Sequence, residues 1–154
     1  MTSEVELDFR RVSPELESEL VVFFEAVARD GLDRTFHPHP FDADEAHRLA
    51  IYSGLDEYHL ALHAGVIAAY GMLRGWGEGY DVPSLGIAVD PEWQRRGIGR
   101  RMMLHLHEVA RARGATRIRL KVYPDNAAAI ALYESLGYVF GEQAEGQLVG
   151  VVTL

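Results

Sequence analysis

The chain has no cysteine, a single lysine and no apolar run of membrane-spanning length. Without cysteine there is no disulfide and no thiolate metal site, so redox chemistry gives no hint of compartment. The lone lysine, Lys121, is far from any Gly-x-x-x-x-Gly-Lys-Ser/Thr pattern, which excludes an ordinary P-loop. The lack of a long apolar run argues against a membrane partner, and Met1 to Glu6 does not read as a secretory leader. A cytoplasmic location is therefore expected. Positive charge is also scarce: the net charge of −8 disfavours non-specific binding to nucleic acid. Repeats, linkers and low-complexity segments are absent too, so residues 1–154 are expected to form one domain.

What is present is the composition of a soluble globular protein, with 48% hydrophobic and 25% charged residues. One stretch stands out against the acidic background. Gln94-Arg95-Arg96-Gly97-Ile98-Gly99-Arg100-Arg101 follows a strand-like run, Leu85 to Val89, and opens a helical run from Ile98 to about Arg113. The first turn of a helix holds N–H groups with no partner inside the helix, and the helix dipole favours an anion there. Glycine removes the side chain that would keep a phosphate off the backbone. The stretch reads as a cradle for a phosphate or pyrophosphate; the plainer alternative is a tight turn with solvated arginines. Met102 stands where a dinucleotide fingerprint needs its third glycine.

Elsewhere the pattern alternates between strands and helices. Val5–Val12 alternates as a strand, and Ser13-Pro14 starts a helix whose apolar face is Leu16, Leu20, Phe23, Phe24 and Val27. The segment Thr35 to Phe41 carries two prolines and two histidines. No third ligand stands near His37 and His39, so no metal is expected, and the loop is expected to line a pocket. Asp42 with Glu45 resembles a capping box for a helix to about Tyr52. Tyr58–His63 and Val66–Arg74 form a hairpin, followed by a loop, Gly75 to Pro83, with Trp76, Glu78, Tyr80 and Asp81. That loop either lines a site or merely covers the sheet edge. His105 and His107 do not share a helix face and read as surface or boundary residues. Arg117–Tyr123 is a strand, Ala127–Ser135 a helix, and Tyr138–Gln143 with Gln147–Leu154 a last hairpin.

Two blocks carry a family resemblance. Ile87-Ala88-Val89-Asp90-Pro91 leads into Gln94-Arg95-Arg96-Gly97-Ile98-Gly99, and about one strand later comes Asn126-Ala127-Ala128-Ala129-Ile130-Ala131-Leu132-Tyr133-Glu134-Ser135-Leu136-Gly137-Tyr138. In this order and at this spacing the chain resembles the GCN5-related N-acetyltransferase (GNAT) superfamily. The resemblance implies a mixed α+β fold: a central, mostly antiparallel seven-stranded sheet, splayed between strands 4 and 5 and flanked by four helices. It implies acetyl-CoA as acyl donor, held by Ile87, Ala88, Val89, Gln94, Arg95, Arg96, Gly97, Ile98, Gly99, Arg100, Asn126, Ala129 and Tyr133. It also makes Tyr133 the general acid for the leaving thiolate. The glutamate that some relatives carry on or near the fourth strand is missing from Leu85 to Val89. Glu78 and Asp81 are the nearby candidates for a base, with His37 or ordered water as substitutes. Phe36, His37, His39, Trp76 and Tyr80 are expected to bind the acceptor. Aromatics beside carboxylates suit the primary amine of a small molecule, possibly an amino sugar. The alternatives are acetylation of a protein N-terminus or side chain, and a non-catalytic acyl-CoA-binding module. Oligomeric state stays open between monomer and homodimer.

Overall fold

Seven strands form one sheet, ordered β1-β2-β3-β4-β5-β7-β6, in the computed structural model, which describes residues 5–31, 34, 36 and 38–154. The strands are β1 (Asp8–Arg11), β2 (Glu57–His63), β3 (Val66–Arg74), β4 (Ser84–Val89), β5 (Arg117–Val122), β6 (Val139–Ala144) and β7 (Gln147–Thr153). The helices are α1 (Glu17–Arg29), α2 (Ala43–Ala50), α3 (Ile98–Ala112) and α4 (Ala127–Ser135). Every neighbouring pair is antiparallel except β4 and β5, which run parallel and meet at the single register pair Ser84↔Arg119. The expected mixed α+β, mostly antiparallel, splayed sheet is thus observed. No helix among the described residues is long and apolar enough to cross a membrane.

Each face of the sheet carries its own core. On one face α1 inserts Leu20, Phe23, Phe24 and Val27 against Leu60, Tyr70 and Met72. On the other, α3 inserts Ile98, Met102, Leu106 and Ala110 against Leu73, Leu85, Ile118 and Leu120. A Cβ at Gly71 of β3 would lie 2.8 Å from both Leu106 Cδ1 and Met102 Cε, so a bare backbone there lets α3 settle onto the sheet. Element ends differ slightly from the sequence pattern. The first strand begins at Asp8 rather than Val5, and Pro14–Leu16 form a 3-10 turn before α1. Only half of the expected capping box forms. Asp42 accepts from the Glu45 amide at 2.8 Å, but the Glu45 carboxylate is bound by Arg48 at 2.6 and 2.9 Å and cannot reach back.

The break between β4 and β5 creates the cleft. Across it the Arg119 amide donates to the Pro83 carbonyl at 3.0 Å, while on the other edge the Asp90 amide donates to Ala68 of β3 at 2.9 Å. Backbone polar groups alternate along a strand. Leu85, Ile87 and Val89 therefore turn their N–H and C=O groups toward β5, where the ladder has already ended. On β5, Ile118 and Leu120 are buried in the α3-side core, and Val122, also buried, lines the cleft. Arg117, Arg119 and Lys121 fall by alternation on the opposite face, and no β5 residue joins the α1-side core there.

Candidate active site

The open splay is a cleft of about 630 Å³, walled by β4, β5, the start of α3 and α4. This volume lies in the ordinary range for ligand sites. Its floor at the α3 end is main chain. Gly97 is the N-cap at φ 74°, without any side-chain cap, and the first bond closing the helix runs from the Arg101 amide to the Gly97 carbonyl at 3.2 Å. The amides of Ile98, Gly99 and Arg100 precede that bond, so they are free donors at the positive end of a 15-residue helix. A Cβ on Gly97 would meet nothing within 4 Å, so the glycine serves its positive φ and not a close approach. Arg95, in a left-handed conformation at φ 64°, and Arg100 line the same cleft. The Arg100 side chain also reaches Ser135 Oγ at 3.2 Å. This donor set fits a pyrophosphate.

Further along, the free main-chain edge of β4 passes Asn126 and Tyr133 of the α4 segment. Asn126 caps α4: its Oδ1 accepts from the Ala129 amide at 3.3 Å, which leaves the side-chain NH₂ as its free group. Tyr133 lines the cleft, and its hydroxyl bonds to no other described residue. Burial alone pushes its pKa up to about 12, so the phenol keeps its proton through the ordinary pH range. Tyr138, a neighbour at 5.9 Å between ring centroids, behaves differently. Its hydroxyl is tied to buried His107 at 2.8 Å. One tyrosine is a packed core residue with its polar end satisfied; the other presents an unused proton to the cleft.

Phe36 closes one wall. A Cβ on Gly86 would stand 2.5 Å from Phe36 Cε1 and 2.8 Å from Met72 Cε, so the Phe36 ring sits directly on the bare backbone of β4. Beyond it, on the same sheet face, a second cavity of about 630 Å³ continues past Ser84 and Arg119. Arg74, Arg117 and Arg119 line it together with Glu78, Tyr80 and Asp81.

Several sequence expectations need correction. Arg96 is not among the residues lining the cleft; its guanidinium lies over the ring of Trp93, which does line it, at 5.0 Å, a cation–π contact. His39 does not line a pocket: its side chain is 4% exposed. Its Nδ1–H donates to the Pro40 carbonyl at 2.7 Å, so Nε2 must accept from the Tyr70 hydroxyl at 2.8 Å. Trp76 carries the Arg113 guanidinium at 3.9 Å and packs on the α3-side core, away from both cavities. Tyr80, 64% exposed, does face the second cavity. Glu78 and Asp81 stand there and not among the residues lining the first cleft. His37 lies outside the described residues. His107 is buried rather than at the surface or boundary, whereas His105 is the half-buried boundary residue expected and bonds to His59 at 2.9 Å. Sequence reasoning missed Arg74, Arg117, Arg119 and Lys121. For the last three the signal was the polar half of the β5 alternation, opposite Ile118, Leu120 and Val122.

A bare helix N-terminus beside a splayed pair of parallel strands is the arrangement that the two sequence blocks implied. The model of the acetyltransferase (GNAT) family matches residues 18–138. The chain belongs to that family. Among similar proteins, the ribosomal protein bS18-alanine N-acetyltransferase of Salmonella typhimurium is 56% identical over 52 residues, which are 34% of this chain and 35% of that protein. The match thus spans about a third of that relative's length. Among solved structures, the GNAT domain of S. lividans PAT superposes with a TM-score of 0.81 at 22% identity, covering 95% of this chain and 89% of that one. The PaiA N-acetyltransferase of Thermoplasma acidophilum in complex with coenzyme A gives 0.76 at 15% identity, over 97% of this chain and all of that one. At these identities the two structures speak for the GNAT fold alone.

Proposed function

We propose that this GNAT protein transfers an acetyl group from acetyl-CoA to an α-amino group at the N-terminus of a peptide or protein chain. The observation that carries the reading is the Tyr133 hydroxyl. It is a protonated phenol without a hydrogen-bond partner among the described residues, in a cleft whose other end is the bare N-terminus of α3. Acetyl-CoA supplies an acyl carbon activated as a thioester. The amides of Ile98, Gly99 and Arg100 take the pyrophosphate, aided by Arg95 and Arg100. The exposed edge of β4 at Ile87 and Val89, with the NH₂ of Asn126, holds the chain between phosphate and sulfur.

The acceptor amine attacks the thioester carbonyl in its neutral form. A C–N bond forms as the C–S bond breaks; the phenol of Tyr133 gives its proton to the departing sulfur, and the new ammonium loses its proton to water or to Glu78 or Asp81. Proton donation by a positioned acid is worth about a hundredfold to ten-thousandfold in such reactions. The N-terminal acceptor is favoured over the amino sugar by the 56% identical stretch shared with a protein N-acetyltransferase. The loss of Trp76 and His39 from the acceptor side points the same way, because a sugar pocket would use such rings. The test is thiol release from acetyl-CoA with short peptides, amino sugars and polyamines, with mass spectrometry locating the acetyl group. Release with peptides, and modification at their α-amine, is expected. Release only with sugars or polyamines would replace the acceptor, and binding of acetyl-CoA with no release for any amine would favour a non-catalytic module.

A further inference from the structure

We propose that the second cavity receives an acceptor that carries an anionic group, a carboxylate or a phosphate, close to the amine being acetylated. This rests on the acetyl-transfer reading above and deepens it.

The position of the cavity comes first. The phosphate cradle is at the Val89 end of β4, and the cleft runs back along β4 to the place where Ser84 meets Arg119. The reacting end of the donor therefore lies toward Leu85 and Gly86. The second cavity begins at Ser84 and Arg119, one strand step beyond Gly86 and Lys121 of the first. Phe36 and Gly86 line the first and Met72 lines the second, and Met72 Cε and Phe36 Cζ both lie 2.8 Å from where a Gly86 Cβ would stand, so the two cavities are next to each other. An acceptor reaching the thioester from the side opposite the pyrophosphate passes through it.

The charges come next. Arg117 and Arg119 form no side-chain hydrogen bond or ion pair with another described residue. Arg74 gives one N–H to the Pro38 carbonyl at 2.9 Å and keeps the rest of its fork. Glu78 and Asp81 form no ion pair with these arginines, so the guanidinium charge is not neutralised from within. In a protein of net charge −8, a cavity with three arginines and two carboxylates is a local reversal of sign. A polycation would meet repulsion here. A zwitterion fits: its ammonium toward the carboxylates, its anion on the planar forks of Arg117 and Arg119, which match carboxylate and phosphate geometry. Both a free amino acid with an acidic side chain and a peptide with acidic residues next to its N-terminus have this chemistry.

The experiment compares kcat/KM by thiol release for peptides with one common N-terminal residue followed by Asp-Glu, Asn-Gln or Lys-Arg. Free aspartate, glutamate and O-phosphoserine form the small-molecule arm, which tells a free acceptor from a peptide. The acidic acceptors are expected to exceed the neutral ones by about tenfold and the basic ones by more. Arg117→Gln with Arg119→Gln should erase that preference through KM of the acceptor, leave KM for acetyl-CoA unchanged, and keep the melting midpoint. Arg119→Glu should tilt it toward the Lys-Arg peptide. Equal kcat/KM across the three charges, or variants that slow all acceptors alike, would overturn the proposal. If no amine releases thiol, the acetyl-transfer reading fails separately. Calorimetric titration of the Asp-Glu and Lys-Arg peptides into wild-type and variant protein then decides the point: arginine-dependent binding of the acidic peptide supports it, and its absence refutes it.

Discussion

Removing one hydroxyl from each of the neighbouring tyrosines should have opposite effects. In Tyr138→Phe the lost group is bonded to His107 at 2.8 Å, and His107 is only 4% exposed. A buried imidazole nitrogen then loses its partner, which costs about 1–2 kcal/mol. For a chain of this length that lowers the thermal midpoint by roughly 2–8 °C. Turnover should be nearly unchanged, because the Tyr138 hydroxyl is committed to the core. In Tyr133→Phe no hydrogen bond to a described residue is lost, so stability should stay within about 0.5 kcal/mol of wild type. The proton for the leaving thiolate disappears, and kcat should fall about a hundredfold or more. With its pKa pushed up to about 12, Tyr133 should cause no falling limb in the wild-type rate profile below pH 10. Melting curves and thiol-release kinetics on both variants check the pair. If Tyr133→Phe kept near-wild-type kcat, or if Tyr138→Phe were the slow one, the assignment of the acid would be wrong.

Other perturbations separate the remaining parts of the site. Gly97→Glu puts an anion in front of the free amides and a side chain at φ 74°, so affinity for coenzyme A should fall at least tenfold by calorimetry, with a stability loss of about 1 kcal/mol. Arg96→Ala should leave that affinity within about twofold, since the guanidinium stacks on Trp93, while Arg95→Ala weakens it. Gly86→Ala should raise KM for acetyl-CoA and cost about 1–3 kcal/mol, because the new methyl displaces Phe36 and Met72. Burial lowers the pKa of His39, His59, His105 and His107 below the ordinary 6.5, so each binds its proton more weakly when folded. Their stabilising contribution is complete above pH 6.5 and declines as pH falls through that value, and a melting midpoint unchanged between pH 7.5 and 5 would contradict this.

The donor half of the site was legible in the sequence because it is built from backbone and from contiguous residues. Gly97 and Gly99 stand at the start of α3, and Asn126, seven residues before Tyr133, lines the same cleft as that tyrosine, placements that local geometry sets. Arg96 escaped because a run of arginines does not say which of them lines the cleft; its guanidinium lies instead over the indole three residues before it. His39 and Trp76 escaped for a tertiary reason. Each had a partner distant in sequence, Tyr70 for one and Arg113 for the other, and those contacts took them out of the acceptor side. The half-formed capping box is similar: Glu45 was claimed by Arg48.

The acceptor half depends on what β5 does with its outward face, and this bears on the base. None of the described residues lining the first cleft is a carboxylate or histidine. The β5 wall offers Arg119 and Lys121, with Lys121 Nζ only loosely paired to Glu145 at 3.7 Å. Cations near an approaching ammonium disfavour its charged form and lower its pKa. The neutral amine is then more abundant at the thioester, and water suffices to take the proton. The same charges would repel an acceptor that had no anion of its own to offset them. On the proposal above, arginines that acidify the amine and an acceptor that brings negative charge go together, whether water, Glu78 or Asp81 takes the proton. Neutralising Arg119 should therefore do two things together: relax the preference for acidic acceptors and move the alkaline rise of kcat/KM to higher pH. A variant that did the first without the second would separate acceptor selection from amine activation.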